Sequence, residues 1–270
     1  MKRIIFLVIF LAVSQLAFSA QVDTIKVRSA AMKTMIKNVV ISPEGKGNVH
    51  YPVLYLLHGA FGDYSSWIKN APNIKQLVDQ HKIIVICPEG GFNSWYFDSP
   101  IDPKFQYETY IMRELITYID QHYKTLPDRA HRAIAGLSMG GHGAFYLGIR
   151  HQETFGAIGA MSGGLDIRPF ATKWDISKRI GTIEQYPDRW ESRAVINMVD
   201  QLIGTDIKII MDCGDEDFFY GVNKAVHRKL MREGVPHDFT IRPGGHNWKY
   251  WSNSIEYQML FFDRFFRKKG

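Results

Sequence analysis

The sequence predicts an α/β fold, a mostly parallel eight-stranded sheet with helices on both faces. Three observations predict it. Short, nearly all-apolar runs alternate along the chain with longer stretches whose apolar residues recur every three to four positions. That alternation is the pattern of parallel strands joined by crossover helices. The runs are apolar on both faces of the extended chain, as strands covered on both sides must be. The length of 270 residues, 46% hydrophobic and 22% charged, suits one large domain.

Residues 1–20 stand apart from that domain. Lys2-Arg3 is a basic start, Ile4 to Val13 an apolar stretch, and Ala17-Phe18-Ser19 places small residues three and one before a cleavage point. This is the pattern of a secretory signal peptide. The apolar stretch is short for a membrane span, and no cysteine follows for lipid attachment. The expectation is a secreted or periplasmic protein of residues 21–270, with no stable membrane anchor after cleavage.

The elements follow in order. Thr24 to Ser29 and Met35 to Ile41 form an opening pair of strands. Pro52 to Leu57, Ile83 to Cys87, His131 to Gly136, Ala157 to Met161 and Ile207 to Met211 are the buried strands. Asp238 to Arg242 alternates and belongs near an edge. Between them, Tyr107, Tyr110, Ile111, Leu115, Tyr118 and Ile119 mark a helix over Phe105 to His122. Val222, Val226 and Leu230 mark another that ends at Gly234, a C′ glycine. Ile255, Met259, Phe262 and Phe266 mark the closing helix. Residues 168–201, with Trp174, Tyr186, Pro187 and Trp190, interrupt the rhythm between the sixth and seventh strands. They read as a helical cap insertion over the site, with an ordinary surface excursion as the alternative.

The formal net charge is +6, and removing Lys2 and Arg3 with the leader lowers it by two, to +4. The basic residues are scattered except for Arg267-Lys268-Lys269, a solvated tail. No nucleic-acid footprint is present. Cys87 and Cys213 end strands that are not neighbours in the expected sheet, so both are expected as buried free thiols rather than a disulfide.

Residues 136–140 read Gly-Leu-Ser-Met-Gly, between the apolar run Ala133-Ile134-Ala135 and the helix-like Gly143 to Leu147. A serine in a G-x-S-x-G turn between strand and helix is a nucleophile elbow. The glycines are a steric requirement, because side chains there would crowd a strained turn. The turn lifts the Ser138 hydroxyl above the sheet edge, and the helix N-terminus faces the point where an oxyanion would form. Eight strands with the elbow on the fifth match the order of the α/β-hydrolases.

A serine hydroxyl needs a base, and the base needs a carboxylate to orient it. In this fold both follow the serine, acid first. His246 is the candidate base, set in the flexible loop Arg242-Pro243-Gly244-Gly245-His246-Asn247-Trp248. His142 lies on the nucleophile's own helix, where packing is expected, His151 and His227 fall on helix surfaces, and His237 opens a strand at the wrong end of the sheet. Among Asp212, Asp215, Glu216 and Asp217, the candidate acid is Asp217, past the glycine turn, with Asp215 in reserve. The oxyanion donors are the backbone N–H of Met139 and of Ala60, with Phe61 the second choice for the latter. His58 is expected to brace its loop. Phe61, Trp95, Tyr96 and Trp248 are the candidate substrate-binding residues, whereas Trp67 and Trp251 read as core or loop anchors. No metal ligands or cofactor motif stand out.

Four stretches carry a resemblance to the esterase D group of α/β-hydrolases. They are Leu56-Leu57-His58-Gly59 with Trp67; Asn93-Ser94-Trp95-Tyr96 with Asp98-Ser99-Pro100; Ala135 to Gly141; and Gly245-His246-Asn247-Trp248 with Trp251. The group includes carbohydrate esterase family one, with its feruloyl and acetylxylan esterases, the tributyrin esterases, S-formylglutathione hydrolases and mycolyltransferases. The resemblance runs from about Tyr51 to Phe262, and the Asn-Ser-Trp-Tyr stretch is most similar to the tributyrin-esterase and acetyl-esterase branch. It implies hydrolysis of carboxylic esters through an acyl-enzyme, without metal or organic cofactor. The family's Cys-Gly-x-x-Asp pattern lands on Asp217. Many relatives have aspartate where this chain has Asn247. Short-chain or aromatic acyl esters on carbohydrate are the implied substrates. The alternatives are an acyltransferase with the same triad, a non-catalytic carbohydrate-binding relative, and more remotely a peptidase. The oligomeric state is not readable from the chain.

Overall fold

The computed structural model describes residues 20–45 and 47–267. The leader assigned to residues 1–20 lies outside these, Ala20 excepted, as do Lys268 and Lys269 of the basic tail. The apolar runs pair into one eight-stranded sheet of order β1-β2-β4-β3-β5-β6-β7-β8. Strands β1 (Gln21–Ser29) and β2 (Thr34–Ser42) form an antiparallel pair. Strand β2 runs antiparallel to β4 (Ile84–Pro88), and β3 (Val53–Leu57) lies parallel between β4 and β5 (Arg132–Leu137). Strands β6 (Ala157–Met161), β7 (Lys208–Gly214) and β8 (Asp238–Arg242) continue in parallel to the far edge.

The central strands are buried on both faces, and the pleat sorts their side chains into two cores. Tyr55 and Leu57 of β3 join one apolar cluster, and Leu54 and Leu56 join the other. β7 runs three residues beyond the expected Met211, because β8 pairs alongside it as far as Gly214–Arg242. Asp212 and Cys213 therefore sit within the sheet. Cys87 and Cys213 are buried free thiols on strands separated by β3, β5 and β6. Burial pushes both thiols well up, away from the reactive thiolate.

Helices α1 (Ser66–Asn70) and α2 (Ile74–His81) connect β3 to β4. The helix expected over Phe105 to His122 starts two residues later. It consists of α3 (Tyr107–Thr109), a π-helical turn (Tyr110–Leu115) and α4 (Ile116–His122). Phe105 precedes it because its N–H closes a turn onto Asp102 O. Helix α5 (Met139–Arg150) follows β5. Short helices α6 (Ser177–Ile180), α7 (Pro187–Glu191) and α8 (Val195–Met198) build the 168–201 segment, and α9 (Tyr220–Arg232) and α10 (Trp248–Arg267) complete the layers. Ile176, Ile180, Trp190 and Val195 enter the core. The segment is thus anchored in the core by these side chains. No helix of the described residues is long and apolar enough to cross a membrane.

Strand order positions the site. Neighbouring strands β3 and β5 send their onward connections in opposite directions along the sheet, β3 to β4 and β5 to β6. The crevice beyond the C-terminal ends of β3 and β5 is the topological switch point where such sheets bind ligands.

Candidate active site

Ser138 sits at that crevice, between the end of β5 and the start of α5. Its backbone has φ 55° and ψ −120°, a conformation that costs a non-glycine residue energy. The strain is held by its neighbours, since the Ser138 N–H donates to Met161 O at 3.0 Å and Gly164 N–H donates to Ser138 O at 3.2 Å. The flanking glycines are sterically enforced. A Cβ at position 136 would stand 2.4 Å from Gly140 O, and one at 140 would stand 2.6 Å from His58 O.

Strand β8 delivers His246 through Pro243, Gly244 and Gly245. Its Nε2 lies 2.8 Å from Ser138 Oγ, and its Nδ1 lies 2.8 and 3.0 Å from the two carboxylate oxygens of Asp217. Asp217 is buried after the turn that ends β7, and its Oδ1 also accepts the Phe219 N–H at 2.8 Å. The neighbouring carboxylates point elsewhere. Asp215 is exposed and accepts the Gly244 N–H at 3.1 Å, which ties down the histidine loop. Glu216 is exposed. Asp212 is buried beneath, where it accepts the Ser254 hydroxyl and Gln258 Nε2 and pairs with Arg242. Burial pushes its carboxyl up, against the pull of Arg242. Asn247 caps α10 by accepting the Tyr250 N–H at 3.1 Å. An aspartate could make the same bond, so this departure from the family pattern keeps the local structure.

Met139 is the first residue of α5, so its N–H has no acceptor within the helix. Opposite it, the loop after β3 brings Ala60 to the same cleft. The Phe61 N–H is already committed to Phe92 O at 2.9 Å, whereas among the described residues no acceptor takes the Ala60 N–H. That difference favours Ala60 over Phe61 as an oxyanion donor. His58 braces this loop. Its Nε2 accepts the Gly90 N–H at 2.8 Å, and Nδ1 then donates to Gly59 O at 2.8 Å. Burial pushes its pKa down despite the nearby Glu89, keeping it in this neutral form. His142 packs edge-on against Trp95 and Phe97, and burial pushes it down to about 4.

The cleft over Ser138 has a volume of about 490 Å³. Phe61 and Trp248 line it, as the sequence predicts. Trp95 and Tyr96 do not, and the assignment of both as substrate-binding residues is corrected. They are 1% and 0% exposed. Both have left-handed backbones, φ 56° and 62°. Tyr96 donates its hydroxyl to His58 O at 3.0 Å, and Trp95 packs on His142. They support the loop from beneath. Their places in the cleft are taken by Trp174 and Phe218, which sequence reasoning missed. Phe218 covers the imidazole of His246, with ring centroids 4.1 Å apart, and stacks on Trp174 at 5.7 Å. The available signal for Phe218 was an apolar residue directly after a buried acid. Trp251 lies edge-on to His246 at 4.8 Å, anchoring it.

A profile of the esterase family, described as "Putative esterase", matches residues 29–262. An acetyl esterase of Caldicellulosiruptor saccharolyticus is 29% identical over 223 residues, covering 75% of this chain and 79% of that protein. The diacylglycerol acyltransferase/mycolyltransferase Ag85A of Mycobacterium tuberculosis is 27% identical over 246 residues, covering 77% of this chain and 72% of that one. Among solved structures, a ferulic acid esterase superposes with a TM-score of 0.80 at 30% identity, covering 92% of this chain and 99% of its own.

Proposed function

The chain belongs to the esterase family, and we propose that it is a secreted serine carboxylesterase that removes short-chain or aromatic acyl groups from carbohydrate through an acyl-enzyme. One observation carries the reading: the unbroken hydrogen-bond relay from Ser138 Oγ through the His246 imidazole to the Asp217 carboxylate. In this reading Ser138 attacks the ester carbonyl while His246 Nε2 takes its proton. Asp217 holds the tautomer that leaves Nε2 free and stabilises the imidazolium. The oxyanion rests on the N–H groups of Met139 and Ala60. His246 then protonates the departing alcohol, and water repeats the sequence to release the acid. Phe61, Trp174, Phe218 and Trp248 offer ring faces to an aromatic acyl group or a sugar ring. The signal-like pattern of residues 1–20 supports export.

The test is release of p-nitrophenol from acetate and butyrate esters. Wild type turns over both, and Ser138→Ala does neither above the buffer rate. Equal rates in the two proteins would sink the mechanism. The relative named as a mycolyltransferase supports a second reading, in which a sugar hydroxyl replaces water in the second half-reaction. Mass analysis of products from acetylated xylan, feruloylated arabinoxylan and added sugar acceptors separates the two. Free acid alone means a hydrolase, and an acylated acceptor means a transferase.

A further inference from the structure

A second cavity, also of about 490 Å³, lies between α3 with its π turn, the C-terminal half of α5 and the chain just after α7. It shares no lining residue with the cleft over Ser138. Three arginines line it, Arg113, Arg150 and Arg193, against two carboxylates, Asp98 and Glu108. Both carboxylates are already used. Asp98 accepts the Thr109 N–H and hydroxyl at 2.9 and 2.6 Å. Glu108 Oε1 accepts Arg150 Nε and His151 Nε2 at 2.8 and 2.9 Å, and its Oε2 accepts the Tyr146 hydroxyl at 3.1 Å.

Arg193 has no such partner. Its Nη1 meets only Arg189 O at 3.2 Å and Ser192 Oγ at 3.5 Å. Its Nε is buried and, among the described residues, finds no acceptor. Burial works against its charge and outweighs the opposing pull of Tyr146 and the nearby Glu108, while Arg150 adds to the cost. The Nη groups of Arg150 are likewise left without a hydrogen-bond partner among the described residues, since only its Nε meets Glu108. A partly buried guanidinium without a counter-ion is expensive. Arg193 is such a group, and with the free Nη groups of Arg150 on the same cavity it suits an oxyanion, which a guanidinium fork holds through paired N–H bonds.

We propose that this cavity is an anion-binding site, separate from the catalytic cleft, that takes a carboxylate or phosphate group on Arg150 and Arg193 with Arg113 at the rim. The carboxylate of an acidic sugar and free inorganic phosphate both carry this chemistry. The site also touches the catalytic helix, because the Arg193 carbonyl accepts His142 Nε2 at 2.8 Å, one turn after Ser138.

Calorimetric titration of the purified protein with sodium phosphate, and separately with sodium glucuronate, at ionic strength fixed by chloride, tests it. One-to-one saturable binding of either anion is expected, with a dissociation constant of about 1 mM or tighter. Phosphate alone or glucuronate alone identifies the source. Arg193→Gln should weaken binding by about tenfold or more. Arg113→Gln, on an exposed side chain that cannot disturb folding, should weaken it by about threefold. Ser138→Ala should leave it unchanged. No saturable heat with either anion up to about 20 mM overturns the proposal. So does unchanged affinity in Arg193→Gln, or loss of binding in Ser138→Ala. If Arg193→Gln fails to melt cooperatively, Arg113→Gln decides, and unchanged affinity there overturns the proposal.

Discussion

Replacing Asp217 by asparagine isolates the orienting carboxylate with little disturbance of the fold. The side chain is isosteric, and an asparagine Oδ1 can still accept the Phe219 N–H that Asp217 accepts at 2.8 Å. What changes is the bond to His246 Nδ1, now 2.8 Å from a carboxylate oxygen. An amide NH2 at that place favours an unprotonated Nδ1. The ring proton then moves to Nε2, 2.8 Å from Ser138 Oγ, where it blocks proton acceptance. An equivalent tautomer inversion elsewhere lowers kcat by about 10⁴, or about 5.4 kcal/mol of transition-state stabilisation. The assay is p-nitrophenyl acetate turnover at saturating substrate, with the melting temperature as the fold control. Asp215→Asn is the matched comparison, because Asp215 is exposed and holds only the Gly244 N–H. Its turnover should fall by less than about threefold. A drop of less than about tenfold in Asp217→Asn, or a larger one in Asp215→Asn, refutes the assignment of the acid.

Three further outcomes follow from the same geometry. Trp174→Ala removes a ring stacked on Phe218 in the cleft. It should lower kcat/KM for feruloyl esters by about three- to tenfold while changing acetate esters by less than about twofold; equal losses on both would remove Trp174 from acyl selection. Trp95→Ala should cost about 3–5 kcal/mol of stability in urea unfolding, whereas Phe61→Ala, at a side chain 62% exposed, should cost less than about 0.5 kcal/mol. The reverse order would mean that Trp95 faces solvent. Burial raises the Glu108 carboxyl, but bonds from His151 and Arg150 overcome it and hold the group below the ordinary glutamate value. A lowered native pKa contributes stability above the unfolded value and loses it as pH falls through the native one. Glu108→Gln should therefore be less stable than wild type at neutral pH, with the gap closing as pH drops below the glutamate range. A gap that stays constant with pH would contradict this.

The alternation of apolar runs and periodic stretches was enough to place every strand within a few residues. Burial on both faces leaves a composition that turns and helices do not imitate. Boundaries were less legible, because pairing partners set them. β7 reaches Gly214 only because β8 lies beside it, and the 105–122 helix absorbs a π turn that its periodicity does not show. Candidate acid and base were legible for a topological reason. Parallel strands end on one side of the sheet, so polar residues after the seventh and eighth strands must face the elbow after the fifth. Aromatic loop residues were not. Trp95 and Trp174 look alike in sequence and both have left-handed backbones, and it is the packing of Trp95 on His142 of the distant helix α5 that decides which turns in.

By itself the sequence determined the order of strands and helices, the glycine-flanked serine and the chain order in which acid and base must follow it. Each of these is a local requirement of backbone geometry or side-chain chemistry, readable a few residues at a time. Only the tertiary structure decided that Asp217 and not Asp215 meets His246, that Phe218 and Trp174 rather than Trp95 and Tyr96 face the cleft, and that Arg193 lies half-buried with no carboxylate to pair it. Those outcomes depend on which distant segments share a wall, and that is settled by how the two cores close over the sheet.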